Sequence, residues 1–272
     1  MPLNAPRIFG IVNATADSFS DGGKYLDPHA AIAHAIRLRD EGADVIDVGA
    51  AASNPDAQEV APEEEIGRLA PIIAALKQNG VPISVDSFAT ETQRWALAQG
   101  VAWLNDIQGF PDAALYGDLA ASAAKLIVMH NVALRGRAQR IDTDPTTIFD
   151  RLFRFFDERL AALERAGVAR DRIVIDPGMG FFLGSDPEVS LTVLRRLAEL
   201  KARYRLPVLI SVSRKSFVRN LAKVEVADSG PATLAAELFA AANGADCLRT
   251  HDVRALKHAL SVSAALHSRG KP

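Results

Sequence analysis

The sequence predicts a single (β/α)8 barrel domain over residues 1–272. Short apolar runs alternate with segments of helical apolar spacing along the whole chain. Eight such runs can be counted, and no composition break or long linker interrupts them. A doubly wound open sheet uses the same βα unit, and the count of eight rather than five or six favours closure into a barrel.

RIFGIVN (7–13) opens the series. It is followed by HAAIAHAIRLRDEG, whose apolar positions recur at helical spacing and whose last residue is the Gly common at helix C-termini. DVIDVG (44–49) precedes PEEEIGRLAPIIAALKQNG, again closed by Gly. PISVD (82–86), AWLND (102–106) and KLIVMH (125–130) are strands three to five. TIFDRLFRFFDERLAALERAG is the longest helical segment. Within it, RFFDER (154–159) reads as a helix with Phe inward and charge outward, which needs no binding role. RIVIDPG (172–178), PVLISVS (207–213) and CLRTH (247–251) complete the strands, and ATLAAELFAAANGAD is the helix before the last of them. The connections 13–27, 49–61 and 131–144 are longer than joining requires, as binding loops often are.

Hydrophobic residues make up 49% of the chain and charged residues 24%, values ordinary for a globular enzyme. Aromatics are only 6%, so the apolar mass is mostly Ala, Leu, Val and Ile, which suits helices packed on a parallel sheet. A net charge of −2 argues against a broad nucleic-acid surface. A single cysteine, Cys247, excludes an internal disulfide and a Cys-based structural metal site, and its place in a strand suits a small core residue. The N-terminal residues lack a charged leader followed by an apolar run, and no stretch approaches the ~18 apolar residues of a membrane span. A protein of the reducing cytoplasm, without membrane or nucleic-acid partners, is the expectation.

In such a barrel the active site sits at the C-terminal ends of the strands. These ends read Asn13, Asp47, Asp86, Asn105-Asp106, His130, Asp176, Ser213-Arg214-Lys215 and Arg249-His251. Polar residues are ordinary where loops begin. The recurrence of Asp, Asn, Arg and His nevertheless suits directional hydrogen bonding to a flat polar ring deep in the mouth. Asp86 and Asp176 come from strands three and six, whereas Arg214, Lys215, Arg249 and His251 come from strands seven and eight, whose loops commonly hold phosphate. Their cations can neutralise a phosphate or diphosphate. The residues therefore suggest an anionic phosphoester with a donor-rich head facing the carboxylates; a phosphorylated sugar or another anion is the alternative. His130 has no second metal ligand near it in sequence, so a hydrogen-bonding role is expected. SFSDGGKYL (18–26) has glycines but neither phosphate-loop spacing, and it reads as a loop over the mouth.

GIVNATADSFSDGG (10–23), ISVDS (83–87), LNDIQG (104–109), IDPGMGF (175–181), SRKSF (213–217) and RTHDV (249–253) resemble, in order, the signature motifs of the dihydropteroate synthases. That resemblance covers nearly the whole chain. It implies a (β/α)8 barrel, usually dimeric, that joins a pterin methyl diphosphate to p-aminobenzoate with Mg2+ at the diphosphate. By the same resemblance Asn13 holds the metal and diphosphate, and Arg249 and His251 bind the diphosphate. Asp86, Asn105, Asp176 and Lys215 hold the pterin, with Met129 lining its pocket. Asp17 and Phe181 order the site, and Ser216 lies near the p-aminobenzoate. The catalytic set implied is Asp86, Asp176, Lys215, Arg249 and His251. It stabilises a departing diphosphate and a cationic pterin methylene, so no strong base or nucleophile is required.

Two loops depart from the family pattern. After strand two the family reads close to GGESTRPGA, whereas this chain reads GAAASNPDA (49–57), with Ser53 for the usual Thr and Asn54 for the usual Arg. Losing an Arg contact to an anion costs roughly 1.5–3 kcal/mol. After strand six the family continues GFGK, whereas Phe182 and Leu183 stand here in place of Gly and Lys. Both changes fall on the aminobenzoate side, and the chain resembles most the sulfonamide-resistant Sul-type synthases. Bulk outside the substrate's outline and inside the drug's discriminates by clash; drift in a flexible loop is the alternative. Two rivals share the pterin site. A methyltetrahydrofolate methyltransferase has no need of the diphosphate residues Asn13, Arg249 and His251, and a non-catalytic pterin-binding protein is suggested only by the missing loop-two Arg.

Overall fold

The computed structural model describes residues 5–15 and 27–267; Asp17 lies outside them. Its strands are β1 (Arg7–Asn13), β2 (Val45–Gly49), β3 (Ile83–Asp86), β4 (Trp103–Asp106), β5 (Lys125–Met129), β6 (Ile173–Asp176), β7 (Leu209–Ile210) and β8 (Cys247–Thr250). All neighbouring pairs are parallel, in the order β6-β5-β4-β3-β2-β1-β8-β7. A parallel bridge between Ile175 and Val208 joins the two ends of that order, so the sheet closes on itself. This is the expected (β/α)8 barrel, and it rules out the open sheet.

The helices are α1 (Pro28–Asp40), α2 (Pro62–Gln78), α3 (Thr90–Ala98), α4 (Tyr116–Ala121), α5 (Ile148–Arg165), α6 (Pro187–Arg195), α7 (Leu197–Tyr204), α8 (Ser216–Ala222), α9 (Gly230–Ala242) and α10 (Val253–His267). Their starts follow local chemistry. Asp27 and Asp186 accept hydrogen bonds from the amides of His29 and Glu188, and Pro28 and Pro187 supply the first helical residue where no N–H is needed. In α5 the buried residues Ile148, Phe149, Leu152, Phe156, Leu160 and Leu163 recur at helical spacing. Phe153 and Phe155 are only half-buried, so the inward-Phe reading of RFFDER holds fully for Phe156.

Period-two alternation sorts the strand side chains into two sets. Ile8, Val12, Ile46, Val48, Val85, Leu104, Val128, Ile175 and Leu248 pack with the helices in the main core. The alternate residues Phe9, Val45, Trp103, Ile127, Val174, Leu209 and Cys247 form a separate cluster. These seven fill the barrel interior as an apolar plug, with Phe9 edge-on to Trp103 at 5.1 Å. Cys247 is thus a core residue, as expected. Strand seven is shorter than the expected 207–213, because only Leu209 and Ile210 pair with β8, at Cys247 and Leu248. The residues after them leave the ladder and enter the site.

Candidate active site

Each plug residue fixes the parity of its strand, so the polar residues two and four positions further on share the interior. Above Cys247 stand Arg249 and His251; above Val45, Asp47 and Gly49; above Val174, Asp176. Trp103 is followed by Asn105, Ile127 by Met129, Phe9 by Ile11 and Asn13, and Leu209 by Ser211 and Ser213. On β3, Ser84 is in register with Asp47 and Asp86 with Gly49. A hollow of about 200 Å3 opens above them, lined by Asn13, Asp86, Arg214, Lys215, Arg249 and His251, with Ser53 and Asn54 from the loop after β2.

The same parity removes two residues from the mouth. Asp106 points toward the helices, where its carboxylate accepts from the amides of Gln108 and Phe110 at 2.7 and 2.9 Å and from Gln93 at 2.9 Å. It shapes the turn after β4. His130 also faces outward, edge-on to Phe155 at 5.2 Å, with Nδ1 3.2 Å from the Pro177 carbonyl. Burial pulls its pKa down to about 4, so the ring is a neutral packing and hydrogen-bonding group.

At the floor of the hollow Arg249 is held between two carboxylates, donating through Nε to Asp47 and through a terminal nitrogen to Asp86 at 2.5 Å. Asp47 is wholly buried, and its other oxygen has no partner among the described residues. Strand two ends at Gly49 rather than at Asp47, so Asp47 lies below the rim. Its pairing with Arg249 could have been read from the shared interior parity of β2 and β8. Burial raises Asp86 against the opposing pull of Arg249. Burial also raises Asp176 to about 6, opposed by the Gly178 amide, 2.7 Å from its Oδ1, and by Lys215. Lys215 is pushed down to about 8 by burial and then by Arg249, with Asp176 and Asp86 resisting. His251 lies well below its ordinary range, chiefly from burial and then from Arg214 and Arg249. It is therefore a neutral ring, anchored by Ser213 Oγ 2.9 Å from its Nδ1 and 3.2 Å from its amide. That Ser213 contact was missed by sequence reasoning, although the interior parity of Leu209 and Cys247 places both residues on the same side.

Asn105, Met129, Asp176, Phe181 and Phe182 do not line that hollow themselves. Met129 and Phe182 form a small buried cluster with Ile107 and Ala138, and Phe88 and Phe181 pack against it. The cluster meets the polar site where the Lys215 ammonium sits 4.7 Å above the Phe182 ring. Asn105 is buried, and its carbonyl oxygen has no partner among the described residues, which leaves an acceptor for a ligand. Ser216 begins α8 directly after Lys215. Leu183 is fully buried in the helix-facing core, so of the two bulky residues after β6 only Phe182 belongs to the site wall. Among the described residues no cluster of three or more His, Cys, Asp or Glu could cage a metal. Asn13 offers one neutral oxygen donor at the rim, which suits a Mg2+ ion coordinated mainly by substrate phosphate oxygens.

Residues 9–251 match the family described as pterin binding enzyme. The chain is 59% identical over 259 residues to the dihydropteroate synthase type-2 of Escherichia coli, covering 95% of each chain. It is 51% identical to the Escherichia coli type-1 enzyme, covering 95% of this chain and 93% of that one. The structure of Xanthomonas albilineans dihydropteroate synthase with 4-aminobenzoic acid superposes with a TM-score of 0.87 at 37% identity, over 98% of this chain and 95% of the other. The family match over nearly the whole barrel and the identity to these enzymes agree, and the chain belongs to the dihydropteroate synthases of the pterin-binding enzyme family.

Proposed function

We propose that the protein joins 6-hydroxymethyl-7,8-dihydropterin diphosphate to p-aminobenzoate, releasing diphosphate and forming 7,8-dihydropteroate. The observation that carries this reading is the convergence of Asp86, Lys215 and Arg249 in one hollow with Arg214 and His251 at its rim. Asp176 and Asn105 accept from the pterin's amino and ring N–H groups, and Lys215 donates to its carbonyl oxygen and ring nitrogen. Arg214, Arg249 and the neutral His251 donate hydrogen bonds to the diphosphate. The bond from the pterin methylene to the diphosphate oxygen breaks and its electron pair leaves with the diphosphate. The arylamine nitrogen then bonds to the methylene and gives up a proton. Asp86 and Asp176, ionised, face the positive charge that develops on the pterin. Asn13 would hold a Mg2+ ion together with the diphosphate, and the ion would supply further neutralisation of the leaving anion.

Sulfonamide discrimination is the finer part of the proposal. Phe182, locked between Met129, Ile107 and Ala138, gives the aminobenzoate side a filled wall in place of the family's Gly, and a sulfonyl group extending past the carboxylate's outline meets it. We further propose a homodimer, supported by the exposed Leu221, Phe239 and Val262 on the neighbouring helices α8, α9 and α10; sedimentation tests it. None of the described helices is long and apolar enough to cross a membrane.

The decisive experiment is expression in a strain lacking its own synthase, with and without sulfamethoxazole, alongside detection of dihydropteroate and diphosphate from purified protein. Growth under both conditions is expected. Pterin binding without turnover overturns the synthase reading, and growth abolished by ordinary drug levels overturns the resistance part.

A further inference from the structure

The loop between β5 and α5 is fastened to two other loops. Toward the loop after β2, the Ala138 amide donates to the Ser53 carbonyl at 3.0 Å, and Arg137 donates to the Ala57 carbonyl. Arg140 grips the Asp56 carboxylate with two parallel bonds, at 2.9 and 2.5 Å. Toward the loop after β6, the Val132 amide donates to the Phe182 carbonyl at 3.0 Å and the Ser185 amide to the Ile141 carbonyl at 2.8 Å. The Arg140 guanidinium also lies over the Phe181 ring, 5.5 Å from its centre. Among the described residues, Arg140 is therefore a side chain of this loop that reaches both of the loops that depart from the family pattern.

We propose that Arg140 is a specificity-determining positioning residue, tying Asp56 of the second loop to Phe181 of the sixth and so holding the aminobenzoate wall preformed. The second loop's own hydrogen bonds are short-range, with the Ala57 amide donating to the Asn54 carbonyl at 3.2 Å. Asn54 stands at the position of the family's arginine, and its side-chain oxygen only accepts from the Asp56 amide two residues on, at 3.0 Å. The order it needs comes from the fifth loop, whose Ala138 is buried in the same cluster as Phe182. A wall fixed in advance takes a small, matched ligand without further ordering cost and rejects one that needs it displaced. Arg140 and Asp56 are both about half exposed, at 56% and 52%, so their pair adds little to global stability. Its effect is local.

The inference rests on the synthase reading, and its test separates the two. In Arg140→Ala, the KM for p-aminobenzoate rises about five-fold, the factor expected of an ion pair at the upper end of the exposed range. The kcat, the KM for the pterin diphosphate and the Tm stay at wild-type values, and the inhibition constant of sulfamethoxazole falls. Arg140→Lys keeps the charge without the two-toothed grip and recovers part of the loss. Amide exchange at Ala138 and at residues 54–57 speeds up in Arg140→Ala, and the double change Arg140→Glu with Asp56→Arg restores protection. Unchanged aminobenzoate KM and unchanged exchange in Arg140→Ala overturn the proposal. If the wild-type protein makes no dihydropteroate, the synthase reading fails. Exchange together with calorimetric binding of p-aminobenzoate to wild type and Arg140→Ala then still decides the role of Arg140.

Discussion

At Gly178 one methyl group decides whether the site exists. Its φ is +75°, and a Cβ there would stand 2.5 Å from the His130 carbonyl oxygen, while its amide anchors Asp176. Gly178→Ala is expected to destabilise by about 1–3 kcal/mol from backbone strain, more where the clash moves β5, and to weaken pterin binding. Urea unfolding and pterin titration measure the two effects. Arg249 makes the opposite point about charge. Its removal strands Asp47 in an apolar interior, so Arg249→Ala should lose roughly 3–5 kcal/mol in urea unfolding. Asp47→Asn in the same background should recover part of that loss, since the wholly buried carboxylate loses its charge while Asp86 keeps the attraction of Lys215. Phe182→Gly opens the wall and should lower the inhibition constant of sulfamethoxazole, with circular dichroism confirming a folded protein. A folded variant with unaltered inhibition moves the discrimination to Ser53 and Asn54.

Helix α9 shows how an element carries a cost on behalf of its neighbours. Its Glu237 is buried at 2% exposure, bonded to Thr250 of β8, and its Oε1 has no partner among the described residues. Burial, helped by Asp252, raises its pKa from an ordinary 4.5 to about 8. The folded state thus holds a proton that the unfolded chain has released. Its favourable contribution is complete below pH 4.5 and is lost as pH rises through 8. Glu237→Gln keeps the shape without the proton. Its Tm relative to wild type should therefore rise between pH 5 and 9, and a constant difference across that range would refute the burial argument. The loop after β5 acts in the same way: it has no regular structure, yet it determines the shape of its neighbours on either side.

Over the whole molecule, the site works as one coupled set of charges. In the proposed reaction pterin binding needs Asp176 ionised and Lys215 protonated, and the fold brings their pKa values to about 6 and about 8. The kcat/KM for the pterin diphosphate should therefore be bell-shaped, falling below pH 6 and above pH 8, with limbs that belong to the cluster rather than to either residue alone. A flat profile across pH 5–9 would contradict that arrangement. Much of this was legible beforehand. The apolar runs, the helical spacing and the count of eight gave the barrel, and the polar strand ends gave most of the mouth. Asp106 and His130 stand at strand ends yet turn away from the mouth, which the ends alone do not reveal; only the plug residues Trp103 and Ile127, each three positions back, show which side faces in. Leu183 looked like part of the wall because it follows Phe182, but the turn between them sends the two side chains to different cores.

By itself the sequence determined the periodicities, the closure-favouring count and the chemistry available at the rim, since each is encoded in residues close along the chain. Tertiary structure alone decided which polar groups meet. Arg249 finds Asp47 across 202 residues and Arg140 finds Asp56 across 84. Such contacts exist only because ring closure fixes the register of every strand, and with it the place from which each loop departs.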